Sequence, residues 1–97
     1  MEKRVRILNQ SPLMQRKYTD RKTGEQKEIS TVTLKLFDGI DTFLGEITGE
    51  RAKNCQRFDP TREYQVQCSM VVREWNSQQT GEAMQATTIY VDKINLV

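Results

Sequence analysis

The sequence predicts an all-β fold of five strands, with one short helix between the third and fourth strands. Three observations support this prediction. Apolar and polar residues alternate with the period of a strand over most of the chain, and polar segments containing glycine separate the alternating runs. Only residues 48–58 show helical spacing. Because 97 residues suffice for one small domain, we expect residues 1–97 to form a single unit.

The first strand is predicted around Val5 and Ile7, which alternate with Arg4 and Arg6. Pro12 has no amide proton for a ladder, so the strand must bend, bulge or lie at an edge there. We expect residues 13–18 to continue extended and to form a long hairpin with the second strand. The turn lies in the charged segment around Thr23-Gly24.

The second strand has the clearest alternation in the chain. Its two faces are predicted to carry Val32, Leu34 and Leu36 on one side, and Thr31, Thr33, Lys35 and Phe37 on the other. Asp38-Gly39 is a tight-turn dipeptide, so the third strand is expected to return antiparallel. The face that Phe43 takes is open, because the apolar residues of this segment fit no single alternation.

The helix is predicted to begin at Thr48 or Gly49 and to run for at most three turns. Ala52, Cys55 and Phe58 recur at helical spacing. Pro60 ends the helix, because the residue before a proline disfavours the helical conformation.

The fourth strand is predicted to point five residues inward: Tyr64, Val66, Cys68, Met70 and Val72. Val71, Arg73 and Trp75 then lie on the opposite face. In the fifth strand, Ile89 and Val91 share a face, but Ile94 and Leu96 follow after a shift of one residue. This shift predicts a bulge near Asp92.

Five antiparallel strands with a helix between the third and fourth form the arrangement of the OB-fold, a partly open barrel. An SH3-like barrel or a split α+β sheet has a similar number of strands, but neither favours a helix at that point. The OB-fold is therefore the predicted fold.

Part of the sequence resembles the bacterial single-stranded DNA-binding proteins and their primosomal relatives. The resemblance lies in a short helix with Gly49 and Ala52, followed by a strand that ends in Arg73 and Trp75. The closing stretch IYVDKINLV is similar to the last strand of that family. Ser69 and Met70 depart from it, since the family commonly has glycine there. The resemblance implies binding of single-stranded DNA in replication, repair or DNA transfer, together with assembly into a homodimer or homotetramer and contacts with replication or repair proteins.

The charge distribution supports a polyanionic partner. Residues 1–22 carry seven basic and two acidic groups, a balance of +5, whereas residues 23–97 carry eight basic and eleven acidic groups, a balance of −3. Single-stranded nucleic acids, DNA or RNA, are held by basic groups on the phosphates and by aromatic rings stacked on the bases. The predicted binding residues are Trp75, Arg73, Phe37, Lys35, Tyr18, Arg16, Lys17, Arg21 and Lys22.

Each of these assignments has a structural alternative. Trp75 packs on the loop of residues 76–83 or on a partner subunit, Phe37 belongs to the core, and the basic hairpin is a solvated loop. The alternative function is a protein-interaction adaptor of the OB type, with no nucleic acid of its own.

Catalysis is not expected from this composition. The chain has no histidine, no glycine-rich phosphate loop and no base beside either cysteine, so no catalytic residue, metal or cofactor is predicted. Cys55 and Cys68 are predicted to be buried apolar residues in a reducing compartment. With no long apolar run and no secretory signal in MEKRVRILNQ, a cytoplasmic location is expected.

Overall fold

A computed structural model describes residues 1–97 as a mostly-β protein with six strands and one short helix. The elements are β1 Glu2–Gln10, β2 Met14–Thr19, β3 Gln26–Phe37, β4 Thr42–Thr48, α1 Glu50–Lys53, β5 Glu63–Asn76 and β6 Ala83–Leu96. The count exceeds the predicted five because the chain leaves the extended ladder around Pro12 and divides the first strand into β1 and β2. The single helix has four residues and is far too short to cross a membrane.

Five of the strands form a hydrogen-bonded ring. The order is β1-β5-β6-β4-β3, and β3 pairs again with β1. The β4–β6 pairing is parallel and the others are antiparallel. β2 lies outside the ring and pairs only with the first half of β3. These two half-strands form the predicted long hairpin, which extends beyond the ring.

The core fills the interior of the ring with the alternating residues of its strands. The buried apolar side chains are Val5, Ile7, Val32, Leu34, Leu36, Ile47, Ala52, Tyr64, Val66, Cys68 and Val91. The predicted inward faces of the first two strands are therefore confirmed. Phe43 shares the inward face with Gly45 and Ile47 and packs against this core, whereas Leu44 points outward.

Gly45 allows β4 and β6 to approach each other. A Cβ atom at this position would lie 2.7 Å from Cγ2 of Val91 and 3.2 Å from Cδ1 of Leu36. Both distances are shorter than ordinary contacts between carbon atoms. The glycine therefore makes room for the parallel contact that closes the ring.

The bulge predicted near Asp92 is confirmed. Gln67 pairs with Lys93 and Cys68 pairs with Val91, so that Asp92 is the extra residue of β6. The hydroxyl of Ser69 donates a hydrogen bond to the Asp92 carboxylate. The bulge accounts for the shift of apolar periodicity within β6, since one unpaired residue moves the following side chains to the other face.

The helix is shorter than predicted. It ends at Lys53, and its N-cap residue, Gly49, has a φ of 74° and no side-chain cap bond. Cys55 and Phe58 reach the core from irregular backbone, and the Phe58 ring meets Tyr64 edge-on at 5.4 Å between centroids. Their spacing is compatible with a helix but does not require one.

The inward face of the predicted fourth strand is right only as far as Cys68. Met70 is 60% exposed and Val72 is 58% exposed. β1 accompanies β5 only along its first residues, and β4 meets β6 only at Tyr90. Beyond that point, residues 69–76 and 83–90 form a two-stranded ribbon, called here the ribbon. Ile89 at its base packs against the core, and the rest of the ribbon has no layer beneath it.

Candidate functional site

The outer face of the sheet is a continuous surface that crosses five strands. One row of paired residues runs through Thr33 of β3, Glu46 of β4, Tyr90 of β6 and Ser69 of β5. Adjacent strands lie about 4.8 Å apart, so this row is about 15 Å wide. Side chains two, four and six residues from each member share its side of the sheet, except in β6 after the bulge at Asp92. We call this surface the outer face; β2 extends it at the edge of β3.

Trp75 lies on the outer face of the ribbon. It is opposite Met84 in the ladder and is 46% exposed. A shallow cavity of about 240 Å³ adjoins it, lined by Glu74, Trp75, Asn76, Ala83, Met84 and Gln85. The indole therefore leaves much of its surface in solvent and does not fill the core of the ring. Within the chain, its neighbours are ribbon residues.

Arg73 and Val71 precede Trp75 on the same side of β5. Arg73 is opposite Ala86, a small side chain, and Val71 is opposite Thr88. Arg73 is exposed and forms no ion pair with an acidic side chain. An aliphatic side chain, a free guanidinium and an aromatic ring thus follow one another along β5.

Lys35 and Phe37 occupy the part of the outer face formed by β3. Lys35 is exposed and is opposite Leu44 of β4, which is 62% exposed. Phe37 is half-buried at the end of the strand, opposite Thr42 on one side and Arg6 of β1 on the other. Its ring is therefore less accessible than the indole of Trp75.

The hairpin of β2 and β3 divides the predicted basic residues between two faces. Arg16 is opposite Ile29 and Tyr18 is opposite Lys27. Both pairs are an even number of residues along β3 from Thr33, so their side chains lie on the outer face. Lys17 is opposite Glu28 on the reverse side. Arg21 and Lys22 lie in the turn, where both are exposed.

Acidic groups balance part of the charge of this hairpin. Nη1 of Arg16 lies 3.9 Å from Oε1 of Glu46, and Nζ of Lys27 lies 3.0 Å from Oδ2 of Asp20. The amide of Lys22 and the ammonium of Lys27 lower the pKa of Asp20, so this carboxylate stays ionised in the turn. The guanidinium of Arg21 and the ammonium of Lys22 form no ion pair with a carboxylate within 4 Å. They are the free cations at the tip.

The nine predicted residues thus fall into three groups. Six share the outer face: Arg16, Tyr18, Lys35, Phe37, Arg73 and Trp75. Arg21 and Lys22 lie at the hairpin tip, and Lys17 points to the reverse side.

The outer face also carries apolar residues that the sequence did not indicate as site residues. Leu44, Val71 and Met84 are each more than 40% exposed, and Tyr90 is half-buried in the same surface. The apolar residues of segment 40–47 do not fit one alternation. This irregularity indicates that at least one of them points away from the core, and in β4 that residue is Leu44. No signal of this kind distinguished Tyr90.

Both cysteines are free thiols. Cys68 is buried and Cys55 is half-buried, and burial raises the pKa of each thiol above its ordinary value. A raised pKa keeps both in the protonated, less nucleophilic form. No three histidine, cysteine, aspartate or glutamate side chains lie close enough together to hold a metal ion.

Comparison with known proteins yields no match: no family model, no curated protein sequence and no solved structure is similar to this chain.

Proposed function

We propose that this protein binds single-stranded nucleic acid, and single-stranded DNA in particular, without strong sequence preference. The observation that carries the proposal is the pairing register, which brings Trp75, Arg73, Lys35 and Tyr18 to one exposed face. β5, β3 and β2 therefore each carry a cation and an aromatic ring on this face. The resemblance to single-stranded DNA-binding proteins independently favours the same function, in replication, repair or DNA transfer.

The chemistry of this face fits a flexible single strand better than a duplex. Stacking on an exposed ring contributes about 1–3 kcal/mol per base and needs an unpaired base. Arg73, two residues from Trp75 on the same side of β5, can reach a phosphate beside the stacked base. Leu44 and Met84 supply apolar surface between the charged groups. None of these contacts reads a base edge, so we expect little sequence preference.

We infer that the fold is an OB-fold in which the first strand is broken at Pro12. With β1 and β2 counted as one strand, the chain has five strands and α1 follows the third. OB-folds bind oligonucleotides on the face of their second and third strands, between the loops that follow the first and fourth strands. Here these elements are β3, β4, the basic hairpin and the ribbon. The candidate residues lie on these same elements.

The second candidate function is a protein-interaction adaptor. The exposure of Met70 and Val72 favours it, because these apolar side chains lie on the side of the ribbon opposite to Trp75. The two functions use different surfaces and can be tested separately.

The test of the first function is a fluorescence titration, since Trp75 is the single tryptophan. Oligo(dT), oligo(rU) and a duplex of the same length are added at two salt concentrations. We expect quenching by the single strands, weaker binding at the higher salt concentration, and the weakest binding to the duplex. Equal or tighter binding of the duplex contradicts the proposal. A complete lack of binding would instead leave the adaptor function as the better account.

A further inference from the structure

Both edges of the ribbon lack a covering strand, and the β5 edge has more exposed apolar side chains: Met70, Val71 and Val72, against Met84 of β6. β1 pairs with β5 at Gln67 and earlier residues, so from Ser69 to Asn76 the β1 side of β5 has no strand neighbour. Unpaired amide and carbonyl groups on such an edge are a template for another strand. An isolated two-stranded hairpin is also only marginally stable in water, so a further strand or a packed face stabilises it.

The same segment exposes apolar side chains on both of its faces. Met70 and Val72 lie on the side continuous with the core, and Val71 lies on the outer face at 43% exposure. Residues 69–72 carry no charge. Natural edge strands are commonly protected by lysine, proline or inward charges, and this stretch has none of these.

β2 and the β5 edge of the ribbon differ in whether two copies of the strand can pair without bringing like charges together. When two copies of β2 pair antiparallel about their midpoint, residues that face each other are separated by an even number of positions in the sequence. Arg16 is then opposite Arg16, or Lys17 is opposite Lys17. Two copies of β5 that pair about Val71 or Val72 avoid this conflict. In these registers Arg73 is opposite Ser69 or Val71, and no like charges face each other.

We propose that a second copy of this chain covers the free edge of β5, through antiparallel pairing about a two-fold axis at Val71 or Val72. Such an interface is self-complementary, as closed dimers require. The paired ribbons form a four-stranded sheet. On its face opposite to Trp75, Met70 is opposite Val72 of the other copy when the axis is at Val71, and Val72 is opposite its counterpart when the axis is at Val72. The outer face stays open in the dimer. This inference does not rest on nucleic-acid binding.

The test measures molar mass by light scattering over a concentration series, without nucleic acid. The decisive variant combines Met70→Lys and Val72→Lys, and the matched control is Leu96→Lys. Leu96 is 55% exposed at the other end of β6, outside the ribbon. We expect the wild type and the control to have twice the chain mass. The double variant should dimerise about tenfold more weakly or worse, since removal of one buried apolar side chain costs at least this factor.

A monomeric wild type at the highest soluble concentration overturns the proposal. So does a dimer that the control variant disrupts and the double variant leaves intact. If the double variant fails to fold, hydrogen exchange of the wild type decides the question. Amides in residues 69–74 should exchange more slowly at high protein concentration than at low concentration, and equal rates contradict the paired edge.

Discussion

At the scale of single residues, Trp75 is the most informative side chain. It is opposite Met84 on a part of the ribbon with no layer beneath it, and about half of its surface is exposed. Its removal therefore creates no cavity in the core of the ring, which is where large aromatic residues have their greatest effect on stability. Its removal takes away an accessible ring instead.

We expect Trp75→Ala to leave the melting temperature within a few degrees of wild type and to weaken binding of oligo(dT) by about 1–3 kcal/mol, roughly 5- to 150-fold. Trp75→Phe should recover part of the loss because it keeps a π-face, and Trp75→Leu should not. Anisotropy with a labelled oligonucleotide measures the affinity, since these variants lack tryptophan.

Tyr64→Ala is the contrasting variant, because Tyr64 is buried in the ring and packs against Phe58. It should cost about 3–5 kcal/mol of folding stability, the range for deletion of a large buried aromatic side chain. If Trp75→Ala melts as low as Tyr64→Ala, the indole is structural and the stacking role is wrong.

At the scale of elements, the two hairpins differ in how they present their side chains. The ribbon carries one ring and one cation on its outer face, whereas the β2–β3 hairpin carries several cations. Strand parity distributes those cations, with Arg16 on the outer face and Lys17 on the reverse. The basic hairpin thus presents cations on both of its faces, and its composition alone does not reveal this division.

Replacement of Arg16, Lys17, Arg21 and Lys22 by alanine should weaken binding and flatten its salt dependence, with little change in thermal stability. Each lost phosphate contact reduces the slope of log affinity against log salt by about 0.7 for a single strand. Within this set, Arg16→Ala should reduce the slope more than Lys17→Ala, because only Arg16 has the parity of the outer face.

Titrations at four or more salt concentrations measure both effects. An unchanged slope in the quadruple variant would show that the hairpin is a solvated loop. Equal effects of the two single variants would show that the strand does not approach along the outer face.

The sequence predicted these elements wherever a local pattern decides the structure. The alternation of residues 31–37, the Asp38-Gly39 turn and the phase shift at Asp92 each determine a register or a face within a few residues. Met70 and Val72 show what such a pattern leaves open. The alternation shows which side of β5 each residue occupies. Whether other residues cover that side depends on where β1 and β4 end, and these strands are distant from β5 in the sequence.

The same distinction applies to the candidate site. The sequence identified an aromatic residue beside a cation on the fourth predicted strand and on the second. Their common face, however, follows from the parallel contact of Glu46 with Tyr90, which joins strands distant in the chain. Leu44 and Tyr90 join the surface for the same reason.

At the scale of the whole molecule, the ring is secured by contacts between distant segments. One is the ion pair of Lys3 and Asp38, with 2.8 Å between Nζ and Oδ2. It links β1 to the turn between β3 and β4, and the Lys3 ammonium also lies 5.9 Å from the centroid of Phe43. The Lys3 side chain, followed by the amides of Asp41 and Ile40, holds the pKa of Asp38 well below its usual range.

This ion pair gives an expectation for acid stability. The pKa of Asp38 is lower in the folded protein than its ordinary value of 3.8, so its contribution is complete above that pH. The contribution is lost as the pH falls below 3.8 towards the folded pKa. Asp38→Asn should therefore lower the melting temperature at pH 6, and the difference from wild type should shrink below pH 3.

Thermal melts at pH 6, 4 and 2.5 follow both proteins. Asp59→Asn is the control, because the pKa of Asp59 is also lowered but by hydrogen bonds to Thr61 within its own loop. Its effect does not involve closure of the ring. A gap between Asp38→Asn and wild type that stays constant down to the lowest pH contradicts the assignment.

Closure of the ring through the β1–β3 pairing also determines which parts of the chain are free to change in length. Every strand of the ring has two neighbours there, so all of its registers are fixed from both sides. The two hairpins leave the ring as extensions, and two residues added to each of their arms lengthen them by about 7 Å without altering side-chain parity. The length of the outer face can therefore grow or shrink through hairpin insertions, while the ring that supports the hairpins keeps its sequence.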